Sequence, residues 1–373
     1  MKNTKHMNTC ILCNSKNTLK VYLDLGNSPL ANNLEKTPKK KVEKYPLRLA
    51  KCTKCAHVQL DYLASPKKMF NNYLYLSSAS TTLTNHLSSI PLAINKKKRI
   101  KKNDIVIDIG SNDATLLKGY KSFGAKCIGV EPAKNLRKYY KKNNIKLINN
   151  FFSNNIAKKI KKDHGPAKFL TATNVFPHLQ KLDEFCLSLH TILDDDGIVL
   201  IEAHYFGQLI KDVAFDTIYH EHASYWSVSS VNKLFKKYNL NLFHVDFLNI
   251  HHGQIRCWIS KNNKIKKSKR LNYYLNHEKK IKLHGDKNLR DFANKVKLIK
   301  IKINNFFEKC KQRGINIVGY GAPAKATTII NYLDLSNNKL KFIIDKNPLK
   351  HKKFIPGTNI QILGPEYINV KKF

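Results

Sequence analysis

The sequence predicts an α/β protein in which a small cysteine-rich domain precedes a doubly wound parallel sheet and a second, smaller α/β unit. Three observations predict it: paired Cys-x2-Cys motifs near the N terminus, strands alternating with helices from residue 105, and a strand, glycine turn and helix after residue 315. A chain of 373 residues suggests two or three domains, because single cores stop growing at roughly 250 to 300 residues. We expect domains over residues 1–70, 71–240 and 241–373.

The first element is a pair of cysteine knuckles. Cys10 and Cys13 form one Cys-x2-Cys motif, and Cys52 and Cys55 form the other. Two such knuckles bring four thiolates together tetrahedrally, which is the geometry that Zn²⁺ prefers in closed structural sites. We therefore predict a zinc-binding domain whose metal is structural.

The central element is a parallel sheet. After a helical stretch that ends in the lysine run at residues 96–102, Ile105 begins a short apolar strand that ends at Gly110. Ser111 and the following residues open a helix, and a second strand leads to Glu131. Further strands are expected at residues 169–173 and 198–202. Strands that alternate with helices in this way predict a parallel sheet with helices on both faces.

The C-terminal part repeats this pattern on a smaller scale. We expect a strand pair around residues 243–245 and 256–259, followed by one long lysine-rich helix between about residues 273 and 313. A strand over residues 315–318 then leads into a glycine turn, a helix start and a strand at residues 341–345. This unit is predicted to be a second Rossmann-like domain.

The net charge of +41 raises the possibility of a nucleic-acid partner. The charge comes almost entirely from dispersed lysines, whereas arginine, which is favoured for bidentate recognition of bases and phosphates, is scattered. We interpret the lysines as solvated faces and expect no specific nucleic-acid partner. No apolar run approaches the roughly 18 residues of a membrane span, and the N terminus is polar, so we expect no membrane span and a cytoplasmic location.

The segment from Asp216 to His222 concentrates a phenol, two imidazoles and two carboxylates. Tyr and His can move protons near neutral pH, and a neighbouring carboxylate can orient an imidazole. We interpret this cluster as proton-transfer machinery rather than a solvated loop.

The glycine turn at the end of the first central strand predicts a cofactor site. A strand that feeds a glycine turn at a helix start forms a ligand site, and an acid at the end of the next strand can accept hydrogen bonds from ribose hydroxyls. The turn has no Gly-x-Gly-x-x-Gly clamp for a pyrophosphate, which favours S-adenosylmethionine over NAD. The predicted cofactor residues are Asp108, Gly110, Asn112, Asp113 and Glu131.

Together these segments resemble bacterial C-methyltransferases of nucleotide-linked deoxysugars, and the resemblance covers essentially the whole chain. It implies a zinc-binding domain, a central Rossmann-like domain for S-adenosylmethionine and a C-terminal Rossmann-like domain that helps to enclose a sugar nucleotide. The motifs that carry the resemblance, besides the cysteine knuckles, lie at residues 24–32, 73–78, 108–113, 174–178, 216–222 and 319–325.

The resemblance also implies a reaction. A base removes the hydrogen beside the ketone of a 4-keto sugar, donors hold the enolate, and its carbon takes the methyl group. By position in the matching motif, His222 is the expected base, Tyr219 and Tyr75 are donors near the enolate or alternative bases, and Glu221 is the orienting acid.

Three further residues are assigned by the same resemblance. Asn174 is expected to line the cofactor side of the cleft, His178 its substrate side, and Lys325 is expected to meet the diphosphate. The chain departs from the family pattern at Ala114, at Pro177 and at residues 252–256, where His-Gly-Gln-Ile-Arg replaces a more usual Gly-Gly-Ser-Leu-Arg.

Two rival functions remain open on the sequence. An RNA methyltransferase would place basic and aromatic residues around the cleft, whereas a sugar methyltransferase would place Tyr, His and Glu there. A binding protein that has kept only the scaffold would be expected to lose Tyr75, Tyr219 or His222, and all three are present. The sequence leaves the sugar, the nucleotide and the oligomeric state open.

Overall fold

The computed structural model describes residues 5–38, 42–71, 73, 75–250 and 253–368. Within these residues the strands form a seven-stranded central sheet, a four-stranded sheet near the N terminus, a three-stranded sheet near the C terminus and a two-stranded pair. No helix in this part of the chain has the length and apolar character needed to cross a membrane.

The N-terminal domain is built on antiparallel strands and two matching turns. In each cysteine knuckle the carbonyl of the first cysteine accepts from the amide four residues later, Asn14 on Cys10 and Ala56 on Cys52, both at 2.9 Å. Asn14 and Ala56 both have positive φ, which folds the cysteine pair back on itself. The elements here are β1 (Lys5–His6), β2 (Leu19–Ser28), β3 (Tyr45–Cys52), β4 (Val58–Leu60), β5 (Tyr62–Leu63), α1 (Pro66–Phe70) and α2 (Thr81–Lys97).

The central domain follows the predicted alternation of strands and helices. Each predicted strand is confirmed, and the helix expected before the lysine run is α2. The elements are β6 (Ile105–Ile109), α3 (Thr115–Lys121), β7 (Lys126–Val130), α4 (Arg137–Asn143), β8 (Lys146–Ile148), α5 (Asn154–His164), β9 (Ala167–Thr173), α6 (Leu182–Ile192), β10 (Leu193–His204), α7 (Phe206–Asp212), β11 (Ser224–Tyr225) and α8 (Val228–Lys237), followed by β12 (Asn241–Leu248) and β13 (Gln254–Ser260).

The order of the central sheet is β12-β13-β10-β9-β6-β7-β8. The strands from β10 to β8 are parallel, and β13 runs antiparallel to β10 and β12. Alternate side chains of β6 enter two different cores, since Val106 packs with α2 and α3 whereas Ile107 packs with α5 and α6. The strand order reverses at β6, and in such sheets ligands bind at the carboxyl ends of the strands beside this point.

The central sheet reaches Ser260, past the domain boundary predicted after residue 240. Six residues of β13, Gln254 to Ile259, pair with β10, and β12 then pairs with β13. The strand pair expected at residues 243–245 and 256–259 is therefore present, but it extends the central sheet.

One short strand crosses between domains. Ser224 and Tyr225 of β11 begin two residues after His222 and pair with Gln59 and Val58 of β4. The amide of Leu60 also donates to the Ala223 carbonyl at 3.0 Å. As a result, the strand that follows the predicted proton-transfer segment belongs to the sheet of the cysteine-rich domain.

The prediction of one long C-terminal helix between residues 273 and 313 is wrong in one respect, because the structure has two helices there. They are α9 (Lys269–Lys280) and α10 (Asp286–Gln312). The chain turns at Lys282, which has a φ of 48°, and α10 begins after Gly285. Leu283 is buried and His284 half-buried at this turn, so tertiary packing interrupts a continuous helical pattern.

The smaller C-terminal sheet is parallel, as predicted, with strands β14 (Gly319–Tyr320), β15 (Phe342–Ile344) and β16 (Gln361–Leu363), and α11 (Ala324–Tyr332) follows β14. The strand expected at residues 315–318 is shorter and later than predicted. Its partner strand β15 has only three residues, so a longer β14 would have no backbone groups to pair with. Ile315 is also exposed.

Candidate active site

A cavity of about 1000 Å³ lies at the carboxyl ends of β6, β7, β9 and β10. All three domains line it: Asn32 from the N-terminal domain, Gly110 and Glu131 from the central domain, and Lys325 from the C-terminal domain. The strand order places this cavity at the reversal point of the central sheet.

Gly110 shapes the cofactor side of the cavity. It has a φ of 64°, and a Cβ built on it would lie 2.4 Å from Cγ2 of Val175. Only glycine fits a backbone that is both left-handed and this close to the opposite loop. The resulting close approach leaves space for a ligand against the backbone of the turn.

Two acids border the same side. The Glu131 carboxylate accepts from the amides of Asn112 at 3.0 Å and Ala133 at 2.9 Å, and burial raises its pKa. Burial raises the pKa of Asp108 to about 7, although Thr171 donates to its carboxylate at 2.6 Å. These acids and the space beside the Gly110 backbone fit a cationic nucleoside such as S-adenosylmethionine. Its ribose hydroxyls would donate hydrogen bonds to the Glu131 carboxylate.

Asn112 and Asp113 clamp the segment that carries Tyr75. The Asn112 side chain accepts from the Ser77 amide at 2.9 Å and donates to the Tyr75 carbonyl at 3.0 Å, and Asp113 accepts from the Ser78 amide at 2.9 Å. Asn112 lines the cavity, whereas the Asp113 carboxylate is used in this clamp and at the start of α3. Tyr75 lines the cavity and is 43% exposed.

His222 is a buried, neutral imidazole on the cavity wall. Its Nδ1 lies 2.8 Å from the Thr217 carbonyl, which can only accept, so Nδ1 carries the proton and Nε2 keeps its lone pair. Burial lowers the pKa of His222 well below its usual value, and the nearby His204 and His178 lower it further. The imidazole is therefore in the form that a general base requires.

Three aromatic rings surround this imidazole. The ring centroids of Tyr219, His204 and His178 lie 4.1, 5.1 and 5.2 Å from that of His222. Burial raises the pKa of Tyr219 well above 10, so its phenol keeps its proton and can donate a hydrogen bond. Tyr219 and His222 thus lie together, as the sequence motif predicts.

Glu221 does not orient His222 through its carboxylate, which corrects the predicted role. The carboxylate instead accepts from Nδ2 of Asn32 at 2.6 Å and from the hydroxyl of Tyr73 at 3.5 Å, and burial raises its pKa to about 7. The Thr217 carbonyl orients His222 in its place. Glu221 joins the 216–222 segment to the N-terminal domain.

His178 and Asn174 follow the end of β9 and line the cavity there. The Nδ1 of His178 donates to the Glu221 carbonyl at 2.6 Å, so His178 both lines the cavity and holds the 216–222 segment. Asn174, with a φ of 58°, lines the cavity, and Nε2 of Gln254 donates to its side-chain oxygen. The chain departs from the family pattern at residues 252–256, of which His252 lies outside the described residues.

Sequence reasoning missed four residues of the site. The last residue of an apolar strand could have indicated His204, and the Pro29–Asn32 motif contained Asn32. No local pattern indicates Thr217, which acts through its backbone, or Gln254, which acts from an antiparallel strand.

The predicted substrate residue Lys325 lines the cavity and forms an ion pair with Asp216 at 3.6 Å.

The four predicted zinc ligands converge in the N-terminal domain. The Sγ atoms of Cys10, Cys13, Cys52 and Cys55 all lie within 4.8 Å of one another. The Cys10–Cys55 and Cys13–Cys52 sulfur distances are 3.6 and 3.7 Å. A tetrahedron with Zn–S bonds of about 2.3 Å has sulfur separations of about 3.8 Å, so this set fits Zn²⁺.

Family models match three consecutive segments of the chain. Residues 10–70 match a zinc binding domain, residues 84–245 a methyltransferase domain, and residues 249–372 the C-methyltransferase C-terminal domain. The chain is an S-adenosylmethionine-dependent methyltransferase, with a C-terminal segment that matches the C-methyltransferases. Its cofactors are S-adenosylmethionine and zinc.

This methyltransferase is also similar to individual proteins. It is 26% identical over 362 residues to C-methyltransferase NovU of Streptomyces niveus, an alignment that covers 96% of this chain and 86% of that protein. A solved S-adenosylmethionine-dependent methyltransferase from Clostridium acetobutylicum matches 48% of this chain and 91% of its own, with 11% identity and a TM-score of 0.39. The magnesium protoporphyrin IX methyltransferase of Synechocystis matches 48% and 79%, with 8% identity and a TM-score of 0.36.

Proposed function

We propose that this methyltransferase methylates the carbon beside the ketone of a nucleotide-linked 4-keto-deoxysugar. The observation that carries the proposal is the state of His222, a neutral imidazole whose Nδ1 is fixed by a carbonyl and whose ring lines the same cavity as the cofactor turn. A carbon beside a ketone must lose a proton before it can take a methyl group, and the free Nε2 lone pair of His222 can accept that proton, whereas methyl transfer to an oxygen or a nitrogen does not need a carbon deprotonated.

The charges that line the cavity also support this substrate. Asp108 and Glu131 lie at the cofactor turn, and the same cavity is lined by the Lys325 ammonium and by the imidazoles of His178, His204 and His222. The acids suit a cationic cofactor, and the ammonium and imidazoles suit a substrate that develops negative charge. The nucleotide-linked sugar itself is inferred from the resemblance of the sequence motifs.

The chain's own residues would act in the following order. Nε2 of His222 takes the proton from the carbon beside the ketone, and the electron pair moves to the carbonyl oxygen. Tyr219, a protonated phenol, and Tyr75 line the cavity and would donate to that oxygen or to the sugar. Bound S-adenosylmethionine supplies an electrophilic methyl group on a sulfonium.

The comparisons favour this function over the RNA methyltransferase that the sequence left open. Both the C-terminal family model and the curated relative are C-methyltransferases by description. Methyl transfer should therefore be assayed across a panel of keto-deoxysugar nucleotides, with single-stranded and structured RNA as the alternative acceptors. Methylated RNA with every sugar unchanged would overturn the proposal.

A second experiment separates the base from the donors. The protein is incubated in deuterium oxide with the keto sugar and the demethylated cofactor product, so that only proton exchange beside the ketone can occur. We expect His222→Ala to slow exchange and methyl transfer by about a hundredfold or more, the usual scale for a general base, with cofactor affinity retained. Tyr219→Phe should slow exchange less.

The matched control is His190→Ala, on an exposed position of α6 away from the cavity. It should exchange and methylate at the wild-type rate. Wild-type exchange in His222→Ala together with an inactive Tyr219→Phe would assign the base to Tyr219 instead.

A further inference from the structure

The C-terminal domain places one ammonium inside the site. Lys325 lies in the first turn of α11, and its Nζ is shielded from solvent. Within the described residues this Nζ makes no hydrogen bond, and its ion-pair contact with Oδ2 of Asp216 is 3.6 Å long. Its N–H groups are therefore available to a ligand in the cavity.

Two buried threonines fix this ammonium relative to the base. Thr328 donates from Oγ1 to the Ile218 carbonyl at 3.1 Å, within the 216–222 segment. Thr327 donates from Oγ1 to the Ala31 carbonyl at 3.0 Å, next to the Asn32 that holds Glu221. Because both threonines are 1% exposed, α11 is locked to the two segments that position the reacting groups.

The charge of Lys325 also acts on the base. The positive charge of Lys325 is among the causes that lower the pKa of His222, after burial and the two neighbouring histidines. Both residues line the same cavity. A ligand in this cavity can therefore contact both the ammonium and the imidazole.

On the proposed function, we infer that Lys325 is a catalytic residue that holds the enolate oxygen rather than a ligand of the diphosphate. The C–H proton moves to Nε2 of His222, and the electron pair of that bond moves through the carbon–carbon bond to the carbonyl oxygen. A Lys325 N–H donates to the oxyanion. The pair then forms the bond to the methyl carbon, the carbonyl is restored, and the sulfonium leaves as a neutral thioether.

Loss of the Lys325 ammonium should slow the reaction strongly, because this desolvated group is already in place when negative charge develops on the enolate oxygen. Loss of one preorganised donor to an oxyanion typically costs 100- to 1000-fold in kcat. A ligand of the diphosphate would act differently, since it binds substrate and transition state equally and changes KM alone.

The test compares Lys325→Met with Lys325→Arg and with the control Lys339→Met. Lys339 is a lysine of the same domain that pairs with Glu308 at 2.8 Å outside the cavity. We expect Lys325→Met to lower kcat and deuterium exchange by about 100-fold or more with KM for the sugar nucleotide changed less than about threefold. Lys325→Arg should recover part of the rate, and Lys339→Met should match the wild type.

A raised KM with unchanged kcat, or a fall in kcat below tenfold, would overturn the role of Lys325. In either case an active wild type would leave the proposed function intact. A wild type that is inactive on every keto sugar would remove both.

Discussion

At the residue scale, Gly110 and His222 show two ways in which a single position defines the site. Gly110 combines a left-handed backbone with a Cβ position only 2.4 Å from Val175. His222 instead depends on one backbone carbonyl, that of Thr217, to fix which nitrogen is basic. In both cases the decisive contact is made by a group that takes no part in the proposed reaction, the Val175 side chain or the Thr217 carbonyl.

Replacement of Gly110 by alanine should weaken cofactor binding. Alanine at a left-handed position costs about 1 kcal/mol, and the added Cβ must also displace the Val175 loop at the cofactor turn. We expect the Kd for S-adenosylmethionine, measured by titration calorimetry, to rise about tenfold or more. Gly26→Ala is the matched control.

Gly26 also has a positive φ, 77°, but a Cβ there would meet nothing within 4 Å. Both variants should lose about 1 kcal/mol of unfolding free energy from the left-handed backbone, Gly110→Ala should lose more because its Cβ displaces Val175, and only Gly110→Ala should lose affinity. Equal cofactor affinity in the two variants would show that the Val175 contact does not shape the cofactor site.

At the element scale, β11 links the zinc site to the catalytic segment. Only two residues separate Cys55 from β4, and β4 pairs with β11, which begins two residues after His222. The Nε2 of His57 also lies 3.1 Å from the Ser224 hydroxyl. A zinc ion held by the four cysteines would therefore also support the strand that follows the 216–222 segment.

Removal of zinc should therefore affect catalysis more than cofactor binding. Without the metal the second knuckle loses its fixed geometry, and β4 can no longer hold β11 in register. We expect chelated protein to lose about tenfold or more in methyl transfer and deuterium exchange, while the S-adenosylmethionine Kd changes less than about threefold. Added zinc should restore turnover, and normal exchange in metal-free protein would contradict the link.

At the scale of the whole molecule, the turn between α9 and α10 fastens the C-terminal domain to the other two. His284 lies at this turn, with Nε2 2.9 Å from the Ser227 hydroxyl at the start of α8 and its ring stacked on Phe206 of α7. Lys51 of β3 donates to the His284 carbonyl at 3.1 Å. Burial, and then the charge of Lys51, lower the pKa of His284 to about 4.

This histidine should make folding stability sensitive to acid. Its pKa is lower in the folded than in the unfolded chain, where it is about 6.5, so the unfolded chain binds the proton first as the pH falls. The stability is therefore fully present above about pH 6.5 and is lost towards pH 4, by up to about 1.4 kcal/mol per pH unit.

His284→Gln should remove that loss. Urea denaturation of both proteins at pH 7.5 and pH 5 should show the variant gaining about 2 kcal/mol relative to the wild type at the lower pH. The buried acids Asp108 and Glu221, whose pKa values are raised to about 7 by burial, act in the opposite direction in both proteins and cancel in the comparison. A stability difference that is independent of pH would mean that His284 accepts a proton without unfolding.

The sequence by itself determined the elements whose physical cause is local. The Cys-x2-Cys spacing specifies the zinc ligands, because each knuckle closes within its own turn. The apolar runs of the central strands and the glycine after β6 specify the parallel sheet and the cofactor turn, because strand propensity and positive φ are properties of the residues themselves. The cluster at residues 216–222 likewise identified His222 and Tyr219 as neighbours.

Only the tertiary structure decided what those residues contact. Glu221 is adjacent to His222 in sequence, yet its carboxylate bonds Asn32, 189 residues away. The break between α9 and α10, the strand β11 shared with the zinc domain and the approach of Lys325 to Asp216 also depend on distant segments. A local pattern shows which side chains a segment offers, but the burial that sets their pKa and the partners that orient them come from parts of the chain that meet only on folding.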